Sequence, residues 1–183
     1  MNAAILFLAA LMFQGVPGDK PIIDNERVTV WDATQTAGKL PYDSVIVSLT
    51  GESATYLAKN APRKSGGRSI LIALKDHTVA PLPNKSGYQL AFPRPGSKKL
   101  LENKRVIIWD YTWTPGVATP MHFHDKDVVV TYLENGTLQS TTPDGRVVMN
   151  EYAFGNARFN LANRIHTETL VKGKQHAIIV ELK

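Results

Sequence analysis

The 183-residue sequence contains no cysteine, which excludes a disulfide framework and thiolate catalysis. It also lacks a long amphipathic pattern of helical period. Its apolar residues lie instead in short runs rich in Val, Ile and Thr, and 13 glycines and 11 prolines punctuate the chain. We therefore predict an all-β protein of short strands joined by turns.

No apolar run is long enough to cross a bilayer as a helix. The run at 3–13 has the length of a signal-peptide core, and the small residues of Val16-Pro17-Gly18 follow it. We predict a signal peptide over residues 1–18 and hence export to the periplasm or secretion. An apolar first strand is the alternative interpretation of this segment.

Acidic residues are scarce in one section of a chain whose formal net charge is +5. Between 59 and 105, only Asp76 and Glu102 oppose eleven basic residues. These eleven are Lys59, Arg63, Lys64, Arg68, Lys75, Lys85, Arg94, Lys98, Lys99, Lys104 and Arg105. They are scattered, without interleaved aromatic residues or a helical stripe, so we predict a solvated surface and neither a nucleic-acid nor a membrane partner.

One stretch of sequence occurs twice. Residues 25–38 (NERVTVWDATQTAG) match residues 103–116 (NKRVIIWDYTWTPG) at eight of fourteen positions. Weaker echoes relate 43–51 to 127–136, and 67–75 to 174–183. Such repeats indicate a duplicated structural unit. The first copy, residues 25–75, is shorter by some thirty residues between its second and third strands, and it holds no histidine.

We therefore divide the chain into four segments: a signal peptide (1–18), a degenerate N-terminal repeat (19–80), a Pro/Gly-rich linker (81–102) and a C-terminal barrel (103–183). The linker is predicted to cross the surface, with at most one helical turn at 98–102. The strands predicted for the second copy span 105–112, 121–124, 128–133, 136–141, 146–149, 152–154, 158–161, 166–171 and 176–182.

Histidine is rare as well, with five in the chain, so His122 and His124 stand out. Alternate residues of a β-strand point to the same face, so the two side chains can bind one metal ion. The β-branched run 128–133 follows and predicts a buried strand, and Glu134-Asn135-Gly136 has the composition of a hairpin turn. A third histidine, His166, lies further along the chain.

These residues fall into two motifs that resemble those of the cupin superfamily. Gly116, five residues, His122-x-His124, a hydrophobic strand and Gly136 are similar to the first motif, G-x5-H-x-H-x3,4-E-x6-G. Gly155 and His166 match the second motif, G-x5-P-x-G-x2-H-x3-N, whose Pro, Gly and Asn are replaced by Leu161, Asn163 and Leu170. Asn163 is a modest change, because asparagine tolerates a left-handed backbone.

The resemblance implies a double-stranded β-helix, or jelly-roll barrel, with a degenerate N-terminal half-repeat. It also implies a divalent transition metal (Fe, Cu, Ni, Zn or Mn) held by His122, His124 and His166. The usual glutamate ligand is absent, because its two possible positions are Val128 and Val129. Asp127 is therefore a candidate fourth ligand, and a three-histidine site with open positions is the alternative. Three neutral imidazoles suit Fe(II), Cu(II), Ni(II) or Zn(II) better than hard Mn(II) or Mg(II).

Cupins have many activities, so the fold alone does not define a function. We predict a metal-binding cupin that acts on a small organic molecule, as a dioxygenase-like or isomerase-type enzyme, and that forms a homodimer, as similar cupins commonly do. A non-catalytic binding or structural module is the alternative. Candidate acids or bases are Asp127, Glu151 and Tyr152, and Arg158 is a candidate for binding an anionic substrate at the barrel mouth. Candidate pocket residues are Tyr111, Trp113, Met121, Phe123, Tyr132 and Tyr152.

Overall fold

The computed structural model describes residues 20–183, and every regular element among them is a strand. The all-β prediction is confirmed. The strands are β1 (Ile23–Asp24), β2 (Val28–Thr34), β3 (Gly38–Lys39), β4 (Ser44–Ser48), β5 (Ser53–Leu57), β6 (Pro62–Arg63), β7 (Arg68–Leu74), β8 (Gln89–Leu90), β9 (Ser97–Glu102), β10 (Val106–Thr112), β11 (His122–His124), β12 (Val128–Tyr132), β13 (Gly136–Thr141), β14 (Val147–Tyr152), β15 (Ala157–Asn160), β16 (Arg164–Gly173) and β17 (His176–Leu182). The described residues include no helix that could span a membrane. The predicted signal peptide lies outside the described residues.

Residues 20–183 form three five-stranded sheets and one two-stranded ribbon. The N-terminal sheet has the order β1-β2-β7-β4-β5, and the middle sheet has the order β15-β12-β17-β10-β9. The third sheet, β14-β13-β16-β11-β8, carries the three candidate histidine ligands, and we call it the histidine sheet. The strands β3 and β6 form a separate two-stranded ribbon.

The three central strands of the middle sheet, β12, β17 and β10, are buried on both faces, which explains their continuous apolar runs. Along β10, Val106 and Ile108 pack with residues of the N-terminal sheet, whereas Ile107 and Trp109 point into the space shared with the histidine sheet. Strands β12 and β17 show the same alternation, as a period of two residues requires. The N-terminal sheet therefore covers the outer face of the C-terminal barrel.

The sequence repeat appears as a repeat of strand pairing. In the N-terminal sheet β7 lies between β2 and β4, and in the middle sheet β17 lies between β10 and β12. Asn25 and Asn103 make the same turn, each accepting through Oδ1 the backbone N–H groups two and three residues on. The short β3–β6 ribbon stands where β11 and β16 pair in the second copy. The first copy thus has one full sheet and a remnant of the other.

Two arginines bind the repeats to each other in a reciprocal arrangement. Arg27 of the first copy donates to Asp127 Oδ2 (2.8 Å) and to the Lys183 carbonyl (3.3 Å) of the second. Arg105 of the second copy lies 3.5 Å from Asp43 Oδ2 and donates to the Lys75 carbonyl (2.7 Å) of the first. The equivalence of Asp43 and Asp127 extends to their Oδ1 atoms. Asp43 Oδ1 accepts the Lys59 N–H, which precedes β6, and Asp127 Oδ1 accepts the Ala162 N–H, which precedes β16.

Some sequence predictions about individual elements were wrong. Strands β12 and β13 do not form a hairpin through 134–136, because β12 belongs to the middle sheet and β13 to the histidine sheet. Gly136 is required by close packing there, since a Cβ would lie 2.4 Å from the Lys174 carbonyl oxygen. The two strands predicted at 146–149 and 152–154 are one, β14.

The segment 81–102 is more ordered than its composition indicates. Residues 98–102 do not form a helical turn but belong to β9, which pairs with the edge of β10 and satisfies its backbone groups. Strand β8 pairs in parallel with β11. The segment therefore contributes to both sheets of the barrel, and the domain boundaries at 80 and 102 stay predictions.

Candidate metal centre

Strands β11 and β16 bring the three histidines together. His122 lies directly opposite His166 in the antiparallel pair, and His124 points to the same face as His122. All three side chains are buried, and one ring nitrogen from each lies within 4.8 Å of the other two. The turn before β16 depends on Asn163, whose φ of 62° is left-handed, as its match to the motif glycine predicts.

Neighbouring groups fix the orientation of two of the rings. His122 Nδ1 lies 2.7 Å from the Pro120 carbonyl oxygen, which can only accept, so Nδ1 carries the proton and Nε2 keeps its lone pair. His166 Nδ1 lies 3.1 Å from Ser140 Oγ, and the same tautomer there leaves His166 Nε2 free to bind. Metal-binding histidines are usually held through the second nitrogen in this way.

The third ring is held less firmly. His124 Nε2 and His166 Nε2 face each other at 3.0 Å, so one of them carries the proton of this contact in the absence of a metal. His124 Nδ1 is buried and has no hydrogen-bond partner among the described residues. If that proton moves to His124 Nδ1, both facing Nε2 atoms present a lone pair, and they then suit a shared cation. The donor set therefore fits a divalent transition metal.

Burial keeps the histidines neutral. It lowers the pKa of His122 to about 4, with a further contribution from the Arg94 guanidinium. It lowers the pKa of His166 to about 3, with a further contribution from Arg164. The pKa of His124 is also lowered well below 6.5 by burial. The neutral form is the one that binds a metal, so the site is competent over the physiological pH range.

We expect the metal-free protein to lose stability as the pH falls from 6.5, the ordinary pKa of histidine, towards 3 to 4. In that window the unfolded chain binds protons at these positions that the folded protein does not bind, so protonation favours unfolding. Denaturant titrations at pH 7, 6 and 5 measure the slope. His166→Asn should reduce it, whereas substitution of the exposed His77 by Asn should not. An unchanged slope in His166→Asn would show that this histidine is not buried in its neutral form.

A cavity of about 460 Å³ adjoins the cluster, between the middle and histidine sheets. Its apolar wall includes Val128, Val130 and Ile179 of the middle sheet. Tyr132 and Tyr152 also line it and stack with their ring centroids 3.8 Å apart. The cavity has the size and the mixed lining of a site for one small organic molecule.

The carboxylate that the first motif normally supplies is absent, and the structure does not bring Asp127 to the histidines. Val128 and Val129 are both buried apolar residues. Both carboxylate oxygens of Asp127 are engaged elsewhere, with Arg27 and with the Ala162 N–H. The three histidines are brought together without Asp127.

Sequence reasoning missed three charged residues that line the cavity, Arg94, Arg164 and Glu168. Arg94, which we assigned to a solvated surface, is only 6% exposed, and its Nη1 lies 3.3 Å from His122 Nε2. That assignment was wrong because the aromatic rings around Arg94 exclude water. Glu168 lines the cavity two residues after His166 on the same face of β16. The spacing His166-x-Glu168 was the available signal.

The other predicted site residues divide into two groups. Trp113, Tyr132 and Tyr152 line the cavity as predicted. The cavity lining does not include Tyr111, Met121 or Phe123, and Tyr111 and Phe123 are buried core residues. Nor does it include Glu151 or Arg158, which are exposed, and Arg158 lies over the outer face of the Tyr152 ring.

Comparison with known proteins identifies the fold. No protein-family model matches the sequence, and no curated protein matches it. A Cupin 2 conserved barrel domain protein from Leptotrichia buccalis is 14% identical, with 90% of this chain and 88% of that chain covered and a TM-score of 0.50. A cupin domain from Bordetella pertussis Tohama I is 25% identical, with 50% and 97% covered and a TM-score of 0.44. The polyketide cyclase RemF from Streptomyces resistomycificus is 20% identical, with 57% and 80% covered and a TM-score of 0.40.

The similarity to the Leptotrichia buccalis protein extends over most of both chains, so this chain has the cupin fold, a double-stranded β-helix. The prediction made from the two sequence motifs is confirmed at the level of the fold. The buried three-histidine cluster is compatible with metal binding in that fold.

Proposed function

We propose that the protein holds a divalent transition metal at His122, His124 and His166 and uses it in a dioxygenase-like reaction on a small organic molecule. The observation that supports the proposal is a cluster of three buried, neutral imidazoles, two of which, His124 and His166, line a cavity of about 460 Å³. A redox-active metal such as Fe(II), Cu(II) or Ni(II), when bound there, supplies chemistry with dioxygen that no side chain of the cavity supplies.

The protein's own residues bind and orient the substrate. Burial raises the pKa of Tyr132 well above 10, so its hydroxyl stays protonated and can donate a hydrogen bond. The apolar wall of Val128, Val130 and Ile179 excludes water from one side of the cavity. The lining also includes the polar groups of His124, His166 and Glu168, so the cavity suits a substrate with one polar end and an apolar body.

A non-catalytic binding module is the second candidate, and the missing carboxylate favours it. With Val128 and Val129 in the usual glutamate positions, the metal has one protein ligand fewer than the motif normally supplies. In this reading the cavity binds a small molecule, and the metal strengthens binding without changing the ligand. Both candidates have the same metal centre, but only the enzyme converts the bound molecule into a product.

The test begins with the metal. Purified protein is incubated separately with Fe(II), Cu(II), Ni(II), Zn(II) and Mn(II), desalted, and analysed for metal by mass spectrometry. We expect about one ion per chain for at least one of the first four metals. A protein that stays metal-free with all five contradicts both candidates.

Oxygen uptake then separates enzyme from binding module. The loaded protein is mixed with a panel of small organic acids and phenols in an oxygen electrode, with metal-free protein as the control. Uptake that depends on both metal and compound supports the enzyme. Binding of a compound, seen as a rise in melting temperature, without any uptake supports the module.

A further inference from the structure

Arg94 is a buried cation at the candidate metal centre. Its side chain is 2% exposed, and the rings of Phe92 and Tyr111 lie against the guanidinium at 4.7 and 4.0 Å. The segment that carries it follows β8, and the Ala91 N–H donates to the Phe123 carbonyl of β11. This pairing places the guanidinium beside His122, on the wall of the cavity.

The hydrogen-bonding capacity of Arg94 is only partly used. A guanidinium has five N–H donors. Nη1 faces His122 Nε2 at 3.3 Å, and Nη2 lies 3.7 Å from Glu168 Oε2, which is too long for a hydrogen bond. Nε is buried without a partner among the described residues. Buried arginines usually bind a carboxylate or phosphate through two parallel hydrogen bonds, and Arg94 lacks that arrangement.

A bound metal would leave Arg94 with still fewer hydrogen-bond partners. His122 Nε2, the acceptor that Arg94 now faces, is one of the nitrogens that would bind the metal. Metal binding therefore withdraws that acceptor and puts a dication beside the guanidinium. Among the cavity-lining residues, Arg94 and Arg164 are cationic and only Glu168 is anionic. The loaded site thus carries an excess of positive charge, which an anionic ligand would offset.

We propose that the small molecule bound in this cavity is an organic carboxylate, with its carboxylate group on Arg94. The proposal rests on the proposed function for the metal, but Arg94 lacks an anionic hydrogen-bond partner with or without the ion. The guanidinium fork matches the planar shape of a carboxylate, and the apolar wall formed by Val128, Val130 and Ile179 fits an organic body better than inorganic phosphate. Arg94, rather than the exposed Arg158 proposed from the sequence, is then the residue that recognises the charge.

The experiment uses isothermal titration calorimetry on the full protein, both metal-free and loaded with Co(II). The ligands are acetate and benzoate, their neutral isosteres acetamide and benzamide, and inorganic phosphate. The variants are Arg94→Gln, which removes the charge, and Arg94→Lys, which keeps the charge but not the fork. Arg146→Gln, at an exposed turn, is the control for net charge.

We expect at least one carboxylate to bind the loaded protein more tightly than its amide by about tenfold or more. Arg94→Gln should weaken that binding by about 10- to 100-fold, whereas Arg146→Gln should leave it unchanged. If Arg94→Gln does not fold, Arg94→Lys is measured instead. Lysine keeps the charge but cannot make the two parallel hydrogen bonds of a guanidinium, so carboxylate binding should still weaken severalfold.

Any of three results would overturn the proposal. Carboxylates and amides bind alike, or an Arg94 variant binds benzoate and acetate as the wild type does. The third is that phosphate binds more tightly than both carboxylates. If the protein takes up neither Co(II) nor any of the five metals of the loading test, the proposed function fails separately. Carboxylate binding to the metal-free protein that depends on Arg94 would then still support this inference, and its absence from both forms would overturn it.

Discussion

Replacing His124 by leucine is expected to abolish metal binding and to leave the fold intact. His124 supplies one of the three metal ligands. Loss of a residue that only supports a ligand lowers metal affinity by up to about 100-fold, so loss of the ligand itself should lower it by more than that. In the first copy, Leu40 occupies the position that corresponds to His124. The Leu40 carbonyl accepts the Asn60 N–H, as the His124 carbonyl accepts the Asn163 N–H, and both asparagines have a left-handed backbone. The loss of His124 Nδ1 breaks no hydrogen bond, because that atom has no partner among the described residues.

Competition with a chromophoric Zn(II) chelator measures the affinity, and denaturant unfolding of the metal-free protein measures the stability. His77→Leu is the matched control, because His77 is exposed and lies outside the cluster. We expect the stability of His124→Leu to stay within about 2 kcal/mol of the wild type, because removal of the unpaired Nδ1 offsets the loss of the contact between His124 Nε2 and His166 Nε2. A His124→Leu protein that folds and binds Zn(II) as tightly as the wild type would contradict the assignment of this ligand.

Replacing Asp127 by asparagine is expected to lower the free energy of unfolding by about 3 to 5 kcal/mol, the usual effect of breaking a buried ion pair. The side chains of Arg27 and Asp127 are only 7% and 12% exposed, so the substitution leaves the Arg27 cation buried without its partner. The metal content should not change, because the structure places Asp127 in the contact between the two repeats.

Urea unfolding and metal analysis at low temperature, where the variant is still folded, test both parts of this expectation. Asp76→Asn removes the same charge from a side chain that is 97% exposed and should change stability by less than about 0.5 kcal/mol. A folded Asp127→Asn protein that has lost its metal would establish the aspartate as a ligand and would contradict the placement described above.

The parts of the site that follow from local rules could be predicted from the sequence. The alternation of side chains along a strand puts His122 and His124 on one face, and no tertiary information is needed for that step. The left-handed turn at Asn163 followed equally from its side-chain chemistry. The pairing of His166 with His122 required the motif resemblance, because the sequence alone does not specify which strands are neighbours.

The role of Asp127 could have been inferred more sharply from the repeat. Asp43 occupies the same position in a copy without histidines, and a residue shared by both copies is explained by their common architecture. The sequence comparison already related 43–51 to 127–136. That correspondence favours a structural aspartate over a ligand.

Arg94 could not be placed from the sequence. Arg94 is buried because β8 pairs in parallel with β11 and because aromatic rings from distant segments lie against its side chain. A count of charges along the chain gives no information about either. The absence of a β12–β13 hairpin has a similar cause. The chain crosses from the middle sheet to the histidine sheet between β12 and β13, so the turn composition between these two strands does not predict their pairing. Export and a homodimer stay predictions.

The most direct test is the position of the ion in crystals of the Co(II)-loaded protein, located by anomalous diffraction. A single ion bound by the Nε2 atoms of His122, His124 and His166, with no protein carboxylate as a ligand, is the predicted result. An ion that also binds a carboxylate such as Asp127, or an ion bound away from the three histidines, would contradict a three-histidine centre.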